Sequence, residues 1–192
     1  MVEPRVETMD ATIRLIRSEP WMMECLRAVE SLQLPDWDIA AGFLRNAIWD
    51  FLHEKTTRTP LNDVDVVYYD PADLDQIDEH KFEVALQKRR PGVRWQVRNQ
   101  ARMHIPNNHA PYRDTEHAMA HWPETPTCVG VRLETDGSLK IAAPHGIAEN
   151  WSLRVAPNPL VRYPAALYKE RIRWKRWLEH WPKLTVEWAS DL

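Results

Sequence analysis

Two aspartates one residue apart, Asp63 and Asp65, begin the run Asp63-Val64-Asp65-Val66-Val67-Tyr68-Tyr69. Its β-branched and aromatic residues, bounded by Asn62 and by Asp70-Pro71, predict a strand. Side chains two apart on a strand leave from the same face, so both carboxylates can reach one hard cation. Mg²⁺ prefers octahedral oxygen coordination and commonly takes only one or two protein carboxylates, with water and substrate phosphates completing the shell. Mg²⁺ or Mn²⁺ held by Asp63 and Asp65 is therefore the expected cofactor. Taken alone, the same pattern also suits a solvated strand start on a half-exposed sheet.

A second feature lies upstream, at Gly42-Phe43-Leu44-Arg45-Asn46. Trp37 to Ala41 reads as a short strand and Gly42 as the turn into a helix carrying Leu44, Ile48, Phe51 and Leu52, which ends at Thr56 to Pro60. Backbone N–H groups at a helix N-terminus attract phosphate, and the helix dipole adds to them. Gly42 and Phe43 would bring backbone to the phosphates, and Arg45 and Asn46 would supply side-chain donors. A polar set follows the strand read at Val93 to Val97. Within it, Asn99 and Arg102 are candidates for sugar or phosphate contact, with loop hydrogen bonding as the alternative.

The surrounding elements must position these groups. Helices are expected at 10–17 and 20–33, the second with Pro20 in its first turn and Ser18 as cap. Residues 72–90 read as a polar helix with Leu74, Ile77, Phe82, Val84 and Leu86 as its apolar set. Asp114 or Thr115 caps a helix running to His121. Val129–Leu133 and Leu139–Ala143 flank an Asp136-Gly137 turn, a hairpin signal. A long helix over 164–180 and a final strand over 184–188 close the chain. In that helix Leu167, Arg171, Trp174, Leu178 and Trp181 share a face, which predicts buried tryptophans and solvent-facing cations.

No apolar run approaches the roughly 20 residues that a membrane span needs. Two cysteines are too few for a disulfide framework, and the acidic start MVEPRVETMD carries no export signal, so a cytoplasmic location is expected. A formal net charge of −3 removes any global reason to bind nucleic acid, leaving only local contact. The local candidate is Tyr168 to Trp177, where cations and aromatics interleave. His117 and His121 have the i, i+4 spacing of zinc sites, but Ala118 stands where a metalloprotease pattern needs glutamate.

The ordered runs WDIAAGFLRNAIWDFLH, LNDVDVVYYD and WQVRNQARMH resemble the bacterial nucleotidyltransferase-like family of the DNA polymerase β superfamily. WPETPTCVGVRL and VAPNP, before RIRWKRWLEHWPKL, are similar to it too, and the resemblance runs from about residue 14 to 188. It implies an α+β chain with the minimal nucleotidyltransferase fold: a short mixed sheet flanked by helices, with the glycine turn and the Asp-x-Asp strand adjacent at one edge. A C-terminal β-hairpin and a long terminal helix would follow, in a single domain over 1–192 with its core at about 20–105 and an extension at about 106–192. The implied chemistry is attack by an acceptor hydroxyl on the α-phosphate of a nucleoside triphosphate, with pyrophosphate leaving. The acceptor, whether small molecule, protein or RNA end, stays open.

Two departures from the family pattern stand out. The usual Gly-Ser or Gly-Gly turn is Gly42-Phe43 here, and the third carboxylate maps onto Gln96, an amide that can neither neutralise a second metal nor take a proton as carboxylate can. Either Gln96 weakens the second metal, or another acid such as Glu134 or Asp70 substitutes, or the chain is a non-catalytic nucleotide-binding or regulatory module.

Overall fold

The computed structural model describes residues 4–162 and 164–188. Helix α1 (Pro4–Ser18) leads into α2 (Pro20–Glu30) through one intervening residue. Pro20 occupies the first turn of α2, where its missing N–H costs little, but the N-cap is Glu19 and makes no side-chain bond. Ser18 instead donates its hydroxyl to the Leu15 carbonyl at 2.8 Å and closes α1.

The chain continues through β1 (Asp38–Ala40), α3 (Gly42–Leu52), β2 (Val64–Tyr68), α4 (Gln76–Arg89) and β3 (Trp95–Asn99). Helices α5 (His104–Asn107) and α6 (Thr115–Met119) precede the hairpin β4 (Gly130–Leu133) and β5 (Leu139–Ala142). Then come α7 (Ala148–Trp151), β6 (Arg154–Val155), α8 (Ala165–Lys175), α9 (Trp177–His180) and β7 (Thr185–Val186).

The expected α+β architecture holds: a five-stranded mixed sheet in the order β3-β2-β1-β4-β5, flanked by helices. Strands β2 and β3 are parallel, with α4 crossing between them, and the other pairs are antiparallel. One expectation is corrected by this order. The Asp-x-Asp strand is an inner strand, paired on both sides. Strand β4 pairs with β1, so the hairpin from beyond residue 105 completes the sheet begun by residues 38–99.

Several boundaries move for local reasons. Helix α4 starts at Gln76 because the Asp75 carboxylate accepts from Ile77 N at 2.9 Å. Leu74, Ile77 and Val84 are exposed, while Leu86 is buried and the Phe82 ring packs edge-on against Tyr68. Strand β3 runs two residues further than read, which places Arg98 and Asn99 on the strand itself. The final strand pairs in parallel with β6 in a separate two-stranded sheet.

The terminal helix departs most. It breaks at Arg176, whose φ of 52° is left-handed, so that α9 turns back towards the domain. Trp177 and Trp181 are buried, but Trp174 is 72% exposed, and the buried face of α8 is Tyr168 and Ile172. The predicted face was therefore rotated.

Asp38, buried in β1, gives a stability test. Burial pushes its carboxyl up to about 8, partly opposed by Arg132. The unfolded chain ionises this group near 3.9, so the folded state loses stability as pH rises from about 4 and levels off above about 8. Asp38→Asn should raise the thermal midpoint at pH 8 by the equivalent of roughly 2 kcal/mol and change little at pH 4. An equal shift at both pH values would refute a neutral buried carboxyl.

Candidate functional site

The site grows from the register of β2. Asp65 lies opposite Ala40 of β1 on one side and Gln96 of β3 on the other. Val64 and Val66 enter the core, while Asp65 and the preceding Asp63 leave from the opposite face, as alternation requires. On β3 the same alternation buries Trp95 and Val97 and turns Gln96 and Arg98 to the side of the aspartates.

The antiparallel partner of Asp65 is the last residue before the β1–α3 turn, which fixes the start of α3 beside the carboxylates. That turn is strained at Ala41, with φ 53° and ψ −117°, and not at Gly42. It is held by Ala41 N–H donating to the Val129 carbonyl at 2.8 Å and by the Ala41 carbonyl accepting from Arg45 N at 3.0 Å. Gly42 sits in a tight place: a Cβ there would lie 3.1 Å from Leu61 Cδ2 and 3.4 Å from Arg45 Nη2, so the Leu61 side chain would have to give way. Ala41 provides no side-chain cap, which leaves the first amides of α3 to other acceptors.

A cavity of about 370 Å³ opens here. Ala41, Gly42, Asn46, Asp63, Asp65 and Gln96 line one side, and Arg171, Lys175, Trp177 and Trp181 line the other. Its wall from the C-terminal segment is tied down through Asp50 of α3. The Asp50 carboxylate accepts from Trp181 Nε1 at 2.8 Å, and from Thr59 N and Oγ1 at 2.8 and 2.6 Å.

Arg45 lines the cavity from beneath. Its Nη1 donates to Thr127 Oγ1 at 3.1 Å, its Nε and Nη2 donate to Asn46 Oδ1, and its guanidinium lies 4.5 Å from the Trp177 ring centre. Burial lowers its pKa to about 10, so it stays charged at neutral pH. Lys175 is lowered as well, by burial and then by repulsion from Arg171 and Arg45. Glu124, wholly buried, accepts from Arg171 Nε and from Thr127 Oγ1 at 3.2 Å. Three cations gathered beside a half-buried acidic pair make a receptor for an anion that brings its own cation.

The acidic side is equally strained. Burial, and then the charge of Asp63, push Asp65 up to about 6. With the Gln96 amide turned so that nitrogen faces the carboxylate, its Nε2 donates to Asp65 Oδ1 at 2.9 Å and its oxygen accepts from Arg98 Nη2 at 3.3 Å. Neither proposed substitute for a third carboxylate reaches the cavity: Glu134 accepts from Arg132 Nε, and Asp70 accepts from Ala72 N.

The structure thus brings together Gly42, Arg45, Asn46, Asp63 and Asp65 with the Phe43 amide in the first turn of α3, and places the Phe43 ring, Asn99 and Arg102 elsewhere. Phe43 packs its ring 5.4 Å from that of Trp21 in the core. Asn99, 1% exposed, is spent on the chain itself: its Nδ2 donates to the Asp70 and Asp73 carbonyls, and its Oδ1 accepts from Asp70 N and Ala101 N. Arg102 forms a bidentate pair with Glu79. For these two, the loop-bracing alternative is the arrangement found.

Thr127, Lys175, Trp177 and Trp181 were not singled out as cavity residues, although the segments carrying them were recognised. The VAPNP segment also has its explanation: Asn158 Nδ2 donates to the Ala120 and Trp122 carbonyls, and Asn158 N donates to the Pro123 carbonyl, fixing the loop that carries Glu124 and Thr127. The His117 and His121 rings sit 4.8 Å apart, with His109 5.4 Å from His121, yet among the described residues no group of three or more His, Cys, Asp or Glu side chains is arranged to hold a metal.

Comparison with known proteins agrees with this fold. The profile of a family described as nucleotidyltransferase matches residues 27–186. A solved structure described as revealing a CCA-adding enzyme head domain is similar, with 30% identity over 93% of this chain and 95% of that one and a TM-score of 0.81. A CCA-adding enzyme solved in complex with CTP shares the fold at 12% identity and a TM-score of 0.56, this chain spanning 42% of its length. Comparison with curated protein sequences gave no match. With the family profile covering most of the chain and the head-domain likeness covering nearly all of it, this chain belongs to the nucleotidyltransferase family.

Proposed function

We propose that the chain transfers a nucleoside monophosphate from a nucleoside triphosphate to a hydroxyl acceptor, with Asp63 and Asp65 holding Mg²⁺ or Mn²⁺. The observation that carries this reading is the convergence in one cavity of the Asp63–Asp65 pair, the uncapped start of α3, and Arg45, Arg171 and Lys175. The CTP in the complex of the similar CCA-adding enzyme supports a triphosphate as ligand.

The donor set fits the metal. Two oxygen-only carboxylates from one strand, both lining the cavity, suit a hard cation that shares its shell with phosphate. A bound Mg²⁺ would polarise the phosphoryl oxygens and offset charge that develops as pyrophosphate departs. The amides of Gly42 and Phe43 would receive phosphate oxygens at the positive end of α3. Arg45 and Lys175 would offset triphosphate charge, and Asn46 and Thr127 would hold Arg45 in place. In the reaction the acceptor oxygen bonds to the α-phosphorus, the bond between the α-phosphorus and its bridging oxygen to the β-phosphate breaks, and the hydroxyl proton passes to solvent. Catalysis on this scheme is positioning and electrostatics.

One observation favours a second reading, a nucleotide-binding module without transfer. Gln96 stands beside Asp65 and donates to it, where a further carboxylate would bring another cation. Gln96→Glu is expected to bind Mn²⁺ more tightly than the parent by isothermal titration in the presence of nucleotide; unchanged affinity would mean that position 96 does not govern the metal.

The two cysteines are buried free thiols, pushed up to about 11 at Cys25 and about 12 at Cys128 chiefly by burial, which keeps them protonated and unreactive. Among the described residues no helix is long and apolar enough to cross a membrane.

The deciding measurement is pyrophosphate release from each nucleoside triphosphate with Mg²⁺ or Mn²⁺, with and without a host extract as acceptor source. The Asp63→Asn/Asp65→Asn protein is the control. Release that requires the extract and vanishes in the control is the expected result. Metal-dependent nucleotide binding without release would favour the non-catalytic module.

A further inference from the structure

We infer that the outer face of α8, together with Trp188, is the docking surface for the acceptor, and that the acceptor is a single-stranded polynucleotide presenting a terminal hydroxyl. This rests on the nucleotidyl-transfer reading of the cavity.

Charge comes first. From Arg162 to Arg176 the chain carries six cations (Arg162, Lys169, Arg171, Arg173, Lys175 and Arg176) and one acid, Glu170, with Arg171 paired to Glu124 and Arg176 to Glu179 from outside the segment, although the whole protein is net negative at −3. A polyanion would therefore settle on this segment in preference to the rest of the surface.

Aromatic exposure comes second. Trp174 is 72% and Trp188 48% exposed, an arrangement that leaves two large apolar rings in water. Lys169, Arg173 and Trp188 line a shallow groove of about 380 Å³, and Lys175 Nζ lies 5.2 Å from the Trp174 ring centre. Rings interleaved with cations match bases interleaved with phosphates, and only unpaired bases offer their faces for stacking.

Helical geometry supplies the third step. Arg171 and Lys175, four residues apart, face the nucleotide cavity, and Lys169 and Arg173, also four apart, face the groove. At 100° per residue Trp174 projects between these two rows. A strand seated in the groove crosses the helix over Trp174 and enters the cavity at Lys175. Its terminal hydroxyl is then beside the place where the α-phosphate must lie. The oxygen–phosphorus bond forms there, pyrophosphate leaves and the hydroxyl proton goes to solvent, extending the strand by one nucleotide.

The test uses the full chain and 5′-fluorescein-labelled unstructured twelve-nucleotide RNA and DNA probes. Anisotropy titrations compare the parent, Trp174→Ala, Lys169→Ala/Arg173→Ala and Asp63→Asn/Asp65→Asn, with triphosphate affinity measured in parallel by calorimetry. The changed residues on α8 are outside the core, so the thermal midpoint of these variants should stay at the parent value. Expected are binding by the parent that weakens steeply with salt, about a tenfold or greater loss in each α8 variant, unchanged triphosphate affinity in those variants, and retained probe binding in the aspartate variant. A tighter RNA than DNA titration assigns the acceptor to RNA, and equal or reversed affinity assigns it to either chemistry or to DNA. No probe binding, or binding indifferent to both α8 changes, overturns the inference even if triphosphate binds. Probe binding through α8 with no triphosphate affinity at all would instead sink the transferase reading.

Discussion

Asp65→Asn should reduce nucleotidyl transfer by about a thousandfold, some 4 kcal/mol of lost transition-state stabilisation, while leaving the protein at least as stable as its parent. The two effects have one cause. Asp65 is largely buried beside Asp63, so without a cation its charge is held in a low-dielectric site next to a like charge. Asparagine removes that repulsion, and its amide oxygen can still accept from Gln96 Nε2. Single-turnover transfer with saturating Mg²⁺ and thermal unfolding in chelator measure the two sides. A fall in midpoint of several degrees together with the lost activity would show that Asp65 is structural and would remove the metal role assigned to it.

The pair was legible because its information is local: alternation on a strand decides which side chains share a face, and Val64, Asp65 and Val66 obey it. Legible for the same reason were the hairpin around Asp136-Gly137 and the start of α3 just after Gly42. What could not be read was which residues other elements lend to the cavity. The β1–α3 turn is strained at Ala41, and α8 breaks at Arg176, both with positive φ on residues that carry a Cβ. Positive φ is written into a sequence by glycine or asparagine, so the break at Arg176 does not announce itself, and at the first turn Gly42 marks the place while the strain sits one residue earlier. The break at Arg176 is what sends Trp177 and Trp181 into the cavity wall and leaves Trp174 outside, a rotation that uninterrupted helical periodicity could not supply. Asn99 and Arg102 failed for a related reason: polar residues next to a site serve the ligand or the chain, and only the positions of Asp70, Asp73 and Glu79 decide between them.

Position 124 tests how the cavity's cations are tolerated. Glu124 is 0% exposed and its carboxylate accepts from Arg171 and Thr127, while the Thr127 hydroxyl in turn accepts from Arg45. Removing one member of a buried ion pair leaves the other uncompensated and costs about 3–5 kcal/mol. Glu124→Ala should therefore lower the thermal midpoint by roughly 10 °C. Arg171→Ala alone leaves Glu124 buried without its cation and should also destabilise, by less, because Thr127 Oγ1 still donates to it. The double variant removes both charges, so its loss should fall short of the sum of the singles by about 1–3 kcal/mol. Additive losses would mean that Glu124 serves packing alone and that the cations at this wall are already compensated by solvent. A coupled result means that Glu124 keeps a guanidinium on the cavity wall in the absence of phosphate, so that the site is assembled before its ligand arrives and the cost of gathering its charges is met by folding.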